Sequence, residues 1–348
     1  MFVLSSYITI GDFQFSGVND VYITRSIHSI ADTAILKLPS VARIVSNGKV
    51  MPETVITGKQ FNDGDPVIIK LGYNSDLQTE FQGFVKRRNL DMPLEVECEG
   101  YSWLLRRNSV TQFYSSVTVK ELLETAVAGI DADYAIEVQC EVDFELNNVR
   151  ISDESGFDVI NNISKMTDGC LSCFFIQPTV LWCGFLYTPY AQGNDVLDSG
   201  TVNYRLGYNV VKDNSLQERI IENDPVEVKY SKKLSNGHKI TAVSDAFPDF
   251  SATRSKILNH ISDQSGLNQL ANEKAYQLNY SGYEGSINAF LQPYATPGYV
   301  AYISDDRYPE RDADYLIEST EVHFGIKGAR RVLEIGPKIG FVNEPGND

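Results

Sequence analysis

The chain has 348 residues, 43% of them hydrophobic, enough to fill more than one core. Thirty Lys and Arg stand against 46 Asp and Glu, and the resulting net charge of −16 argues against a surface that grips nucleic acid by counterion release. No apolar run reaches the roughly 18 residues of a bilayer span, and Met1-Phe2-Val3-Leu4-Ser5-Ser6 lacks the basic region and long apolar stretch of a signal peptide, so synthesis in a cytoplasm is expected.

In the first hundred residues strands alternate with turns, at Tyr7–Ile10, Asp20–Thr24 and Ala34–Pro39. Asn62-Asp63-Gly64-Asp65-Pro66 reads as a turn, because its carboxylates stop short of the ligand spacing of a calcium loop. Gly64-Asp65-Pro66-Val67-Ile68-Ile69 then opens a strand, Phe81-Gln82-Gly83-Phe84-Val85 follows, and Leu94 to Gly100 closes the unit.

After Arg106-Arg107-Asn108 the period changes. Ser116 to Ala126 has apolar residues at helical spacing behind a Ser/Thr cap, and Ser152 to Met166 places Phe157, Ile160 and Ile163 on one helical face before Gly169 ends it. Leu171 to Tyr187 reads as a hairpin broken near Gln177-Pro178-Thr179. Strand patterns resume at Asn203–Val210, Ile220-Ile221 and Val226–Tyr230. A stretch of roughly forty polar residues interrupts them, with a helix from Ser265 through Gln277 striped by Leu267, Leu270, Ala271, Ala275 and Leu278.

The closing segments repeat the first unit: Gly298-Tyr299-Val300-Ala301-Tyr302-Ile303, then Tyr315-Leu316-Ile317-Glu318-Ser319, then Leu333-Glu334-Ile335-Gly336. From the opening glycine to the next aromatic is 17 residues in both copies, Gly64 to Phe81 and Gly298 to Tyr315, while the third element loses register. The pattern predicts a mainly β fold with α+β inserts and two related small β-barrels. Residues 1–107 form the first barrel domain, 108–200 an α/β insert, 201–242 with 285–340 the second barrel, 243–284 a small partly helical insert and 341–348 a tail.

Catalytic constellations are missing. None of His28, His238, His260 and His323 has a carboxylate or cysteine at metal or triad spacing, and no G-x-S-x-G, phosphate loop or H-E-x-x-H occurs. The five cysteines, at 98, 140, 170, 173 and 183, are read as reduced, and Cys170-Leu171-Ser172-Cys173 lacks the second pair of a zinc site. They are assigned to strands beside Phe174, Phe175 and Trp182. Asp305, Asp306, Glu310, Asp312 and Asp314, interleaved with Arg307 and Arg311, read as an exposed loop, with a cation site as the alternative. No catalytic, metal or cofactor-binding residue is assigned, no cofactor is expected, and the chain is read as a non-enzyme. Sequence leaves paired carboxylates for glycoside cleavage open, because the fold sets their approach. The acidic balance suits the wall of a conduit along which DNA slides without sticking.

Read in order, these segments, together with Val117–Leu123, Ser152–Gly169, Leu181-Trp182-Cys183-Gly184, Ala271–Leu278 and Arg331–Gly336, resemble the baseplate hub proteins of phage tails. The resemblance is to the Mu-like and T-even-like hubs, related to the late control D proteins and to the base of type VI secretion spikes, and it covers nearly the whole chain. It implies a homotrimer whose six barrels form a pseudo-sixfold ring between a sixfold tail tube and a threefold central spike. The implied partners are the tail tube protein, the spike protein and other baseplate proteins, with DNA passing through without specific binding. The implied location is the virion tail baseplate, after synthesis in the cytoplasm of a bacterial host. The chain ends at Asp348, so the spike is expected to be a separate protein. The competing expectations are a cell-wall-degrading or carbohydrate-binding tail protein, and a hub of a phage-tail-like injection system.

Overall fold

A computed structural model describes residues 3–343 apart from Ser16, 47–48, Asp91, 214–215, 222–224, 235–236 and 248–249. The first repeat unit contains β1 (Leu4–Ile10), β2 (Phe13–Phe15), β3 (Asp20–Ser26), β4 (Thr33–Leu38), β5 (Val41–Ser46), β6 (Lys49–Ile56), β7 (Pro66–Tyr73), β8 (Asp76–Asn89) and β9 (Leu94–Glu99). The insert after it contains α1 (Ser102–Leu105), β10 (Ser109–Thr118), α2 (Val119–Val127), β11 (Glu137–Cys140), β12 (Glu145–Ser155), α3 (Gly156–Met166), β13 (Ser172–Gln177), β14 (Val180–Gly184) and α4 (Tyr187–Ala191). Then come β15 (Thr201–Arg205), β16 (Val210–Asp213), β17 (Gln217–Arg219), β18 (Val226–Lys233), β19 (Lys239–Val243), β20 (Ala252–Ile257) and α5 (Gln264–Leu278). The chain closes with β21 (Gly282–Glu284), β22 (Ser286–Ala289), β23 (Val300–Ser304), β24 (Ala313–Gly325) and β25 (Gly328–Lys338).

The fold is mainly β, as expected, but the two units are not separate closed barrels. One 15-stranded sheet runs β16-β22-β25-β24-β3-β4-β9-β8-β7-β1-β2, with β15 joined through β23 and β17 through β21, and no strand pairing among the described residues closes either half. In the second half the end strands meet only through an isolated bridge between Leu206 and Val210. The reason for the merger is length: β24 has 13 residues and β23 only five, so β24 runs on past its neighbour and offers that edge to β3.

The sequence repeat is real in the backbone. Each unit is a path of six strands in the same chain order, β1-β7-β8-β9-β4-β3 and β15-β23-β24-β25-β22-β16, differing in that β1 runs antiparallel to β7 and β15 parallel to β23. Gly64 N–H donates to Val85 C=O at 2.7 Å and Val85 N–H to Asp65 C=O at 2.9 Å; Gly298 N–H donates to Ile317 C=O at 2.8 Å and Ile317 N–H to Tyr299 C=O at 2.9 Å. A bulge follows each clamp, between Val85 and Arg87 and between Ile317 and Ser319. Val85 is therefore the counterpart of Ile317, which corrects the 17-residue alignment of Phe81 with Tyr315. The interval from glycine to counterpart is 21 residues in the first unit, Gly64 to Val85, and 19 in the second, Gly298 to Ile317, because β7 and β8 are longer there than β23 and the start of β24, by more than the loop 305–312 exceeds the tight turn at Asn74-Ser75.

The remaining segments pack as a second body. The expected helices are present, α2 behind a Thr118–Glu121 capping box, α3 behind Ser155 and α5 behind Asp263. The buried face of α3 is Val159, Ile160 and Ile163, with Phe157 half-buried against the same core under the Arg106 guanidinium at 3.4 Å. Val226–Lys233, expected to begin the second barrel, instead joins β19 and β20 in a three-stranded sheet under α5. Its inward Val228 and Tyr230 share one core with Leu122, Ile160, Leu171 and Leu270, so both inserts fill the same interior. At the C-terminus Phe341 is buried beside Tyr276, and 344–348 of the expected tail lie outside the described residues.

Asp168 ties the two inserts together. It accepts from Tyr230 Oη at 2.7 Å and pairs with Lys256 and Arg254; burial opposes its charge, and these partners outweigh burial to hold the carboxyl below its ordinary range. A depressed folded-state value contributes stability above the ordinary carboxylate range and loses it as pH falls through the lowered value. Asp168→Asn is expected to cost about 1–3 kcal/mol at neutral pH, with the deficit shrinking in urea unfolding series carried to low pH. Gly298 sits at φ +89°, and a Cβ there would collide with Leu197 Cδ1. Gly298→Ala should lower the unfolding free energy by roughly 1–3 kcal/mol in the same assay.

Candidate assembly interface

The junction between the repeat units is where this molecule joins like to like. β3 and β24 pair antiparallel from Ser26 opposite Ser319 to Asp20 opposite Gly325. Beyond the point where β23 stops, the β24–β25 hairpin inserts Val322, Phe324 and Ala329 into the core of the first unit, against residues such as Ile8, Val21 and Val96. The first unit's core is thus completed by side chains of the second. Tyr73 Oη donates to Ala329 C=O at 3.2 Å and Gln292 Nε2 to Asp76 at 2.7 Å, both across the junction.

Two buried ion pairs sit beneath it. Arg331 and Glu80 approach to 2.7 Å with side chains only 1% and 3% exposed, and Arg331 also donates to the carbonyls of Ala295 and Leu291. Glu80 is the extra residue of a bulge in β8, which is how a carboxylate enters a core strand. Arg25 pairs with Asp32 at 3.0 Å and donates to Thr296 Oγ1 and to Phe175 C=O, linking β3 to the second unit and to the insert. Burial pushes the Asp32 carboxyl up against the pull of Arg25. A cavity of about 330 Å³ opens beside these groups, lined by Tyr101, Phe175, Tyr294 and Tyr299 as well as both arginine partners. None of these charged residues was singled out from the sequence. A signal was present for Arg331: Ala329, Arg331, Leu333 and Ile335 are alternate, inward positions of one strand, and an arginine among them demands a buried acid.

Of the acidic segment 305–314, residues 305–312 form the loop between β23 and β24, and Asp314 is the second residue of β24. Buried Asp305 lies 3.6 Å from Arg307 and 3.9 Å from Arg311 and accepts from the Arg307 N–H, Asp312 caps the Asp305 N–H, and Asp306 pairs with Arg205. Asp305 is answered by the segment's own arginines and Asp306 by Arg205, while Asp314 Oδ1 is buried without a hydrogen-bond partner among the described residues. No cluster of His, Cys, Asp and Glu suited to a metal ion occurs among the described residues. The C-x-x-C is drawn apart: Cys170 faces Tyr230 and Leu270, while Cys173 lies opposite Cys183 on the neighbouring strand.

Solved structures share the overall fold. A tail protein from Neisseria meningitidis MC58 superposes with a TM-score of 0.64 at 13% identity, covering 96% of both chains. The fold is that of phage tail proteins. The 43 kDa tail protein of prophage MuSo2 from Shewanella oneidensis gives 0.62 at 12% identity, covering 96% of this chain and 98% of that one. The E. coli c3393 protein, described as a type VI secretion component with structural similarity to the T4 tail proteins gp27 and gp5, gives 0.55 at 10% identity over 95% of this chain and 76% of its own. No family model and no curated protein sequence matches the chain.

Removing one member of the buried pair leaves the other charge stranded. Arg331→Met should destabilise the chain by about 3–5 kcal/mol, and adding Glu80→Met should restore much of that loss; guanidinium unfolding of the two variants measures the difference.

Proposed function

We propose that the protein is a structural hub of a phage or prophage tail baseplate, a homotrimeric ring that adapts a sixfold tail tube to a threefold central spike around the path of DNA. The observation that carries this reading is the duplicated six-strand unit with its internal junction: two like units per chain give six like positions in a trimer. The whole-length likeness in fold to tail proteins supports it. On this reading residues 1–107 and the strands β15–β17 and β21–β25 are the ring-forming units, and 108–200 with β18–β20 and α5 form the body carried outside them. The partners are the tube protein, the spike and other baseplate proteins, the virion tail is the location, and no chemical step is involved. A net charge of −16 suits a wall that DNA passes without adhering. The likeness in fold to a type VI secretion component favours a second setting, the same hub in a tail-like injection system.

Light scattering on the purified chain is expected to give a mass of three chains at high concentration, with negative-stain images showing a threefold ring open at its centre. A monomer at every concentration would count against the ring. The same preparation should release no product from peptidoglycan, and turnover abolished by Glu310→Gln or Asp312→Asn would replace the hub with a cell-wall enzyme.

A further inference from the structure

The junction inside the chain predicts the junction between chains. With Val85 matched to Ile317, Arg87, Arg88 and Asn89 of β8 and Leu90 just after it stand where Ser319, Thr320, Glu321 and Val322 stand in β24. Those β24 residues hydrogen-bond to β3 along the edge that β23 leaves uncovered. In β8 the matching edge lies beyond Pro66, the first residue of β7, and no strand among the described residues pairs with it. The loop 57–63 packs against this end of β8 through side chains, with Phe61 in the core, Arg88 donating to the Phe61 and Gly58 carbonyls and to Asp63, and Gly58 beside Leu90, and none of these contacts uses the β8 backbone.

Side chains repeat the story. Val322 is 2% exposed because the junction buries it, whereas its counterpart Leu90 is 72% exposed and Met92, at the tip of the shorter β8–β9 hairpin, 87% exposed. The counterpart of β3 is the edge formed by β16 and β17: both units pair this strand with the one beside β9 or β25, and Thr33 of β4, opposite Thr24, matches Glu284, opposite Gln217. Apart from the Leu206–Val210 bridge at the start of β16, that edge is also unpaired among the described residues, and it is flanked by exposed Tyr208, Val211 and Ile220.

We propose, resting on the hub reading, that β8 of one copy pairs antiparallel with β17 of the next, Arg87–Asn89 opposite Gln217–Arg219, so that one continuous sheet passes from chain to chain as it already passes from unit to unit. The occupant of the free β8 edge is a second copy of this chain. Leu90 and Met92 then cover the open end of the neighbour's second unit, as Val322 and Phe324 cover the first. Glu218 falls opposite Arg88, which also holds Asp63 of its own chain, and Arg219 falls opposite Arg87, each of these two arginines already paired with a carboxylate of its own chain, Glu284 and Glu97.

The test combines mass with cross-linking. Asn89→Cys and Gln217→Cys, combined in one chain and oxidised with glutathione disulfide, are expected to shift the protein from one chain mass to three on a non-reducing gel. Neither single variant should do so, nor should Asn89→Cys paired with Thr253→Cys on the remote strand β20. Leu90→Asp, at a position solvated within one chain, is expected to reduce the solution mass from three chains to one with the circular dichroism unchanged. A three-chain mass that survives Leu90→Asp and yields no double-cysteine cross-link overturns this pairing and leaves the hub reading standing. A wild-type chain that stays monomeric at every concentration and gives no cross-link overturns both.

Discussion

The pairing of β24 with β3 is the constraint on which the rest of the molecule depends. Backbone hydrogen bonds alone would tolerate a slipped register, but a slip of one residue turns every side chain to the opposite face. Here that would carry Val322 and Phe324 out of the first unit's core and separate Arg331 from Glu80. A stranded buried charge costs several kcal/mol, so the ion pair acts less as a source of net stability than as a penalty on every arrangement but one. The bulge at Glu80 and the bulge after Ile317 are part of the same device, since each re-aims a strand at the place where the two units meet.

The inserts brace that junction from outside. Arg25 reaches the Phe175 carbonyl, Tyr187 Oη donates to Glu318 at 2.7 Å, and Tyr190 Oη donates to the Gly298 carbonyl at 3.0 Å beside the glycine clamp. Glu273, fully buried in α5, accepts the backbone N–H groups of Leu186, Tyr187 and Thr188 and so fixes the start of α4. The two inserts are separated in sequence by β15–β17, yet they share one core. Their common packing ties the chain on either side of the second unit's first strands, which is why a single path can leave the sheet twice without loosening it.

Sequence reading reached the elements with short-range causes. Capping residues and apolar spacing located α2, α3 and α5, and the glycines at 64 and 298 marked the clamps because a left-handed backbone favours glycine. It failed where the deciding partner lies far along the chain. Val226–Lys233 alternates like a barrel strand, and its pattern carries no trace of which sheet it joins. The β24–β3 ladder links residues some three hundred positions apart, so two units that look independent in sequence proved to be one sheet. Arg331 stands among alternate inward positions and so demands a buried acid, but nothing local marks that acid as Glu80, the extra residue of a bulge.

The two free edges also differ from each other in a way that bears on assembly. Lys86, Arg87 and Arg88 follow one another on the β8 edge, so two copies meeting edge to edge about a twofold axis would set arginine against arginine across an antiparallel ladder. The opposite edge, Gln217-Glu218-Arg219, has one carboxylate and one arginine in place of a basic run, so the unlike contact sets a single arginine pair beside an opposite-charge pair. Like-with-like contact is therefore disfavoured at β8, and the favoured contact joins unlike edges head to tail. A head-to-tail contact must either close into a ring or continue as a filament. What selects closure is already set within one chain, because the turn from the first unit to the second is fixed by the buried pair and the inserted hairpin.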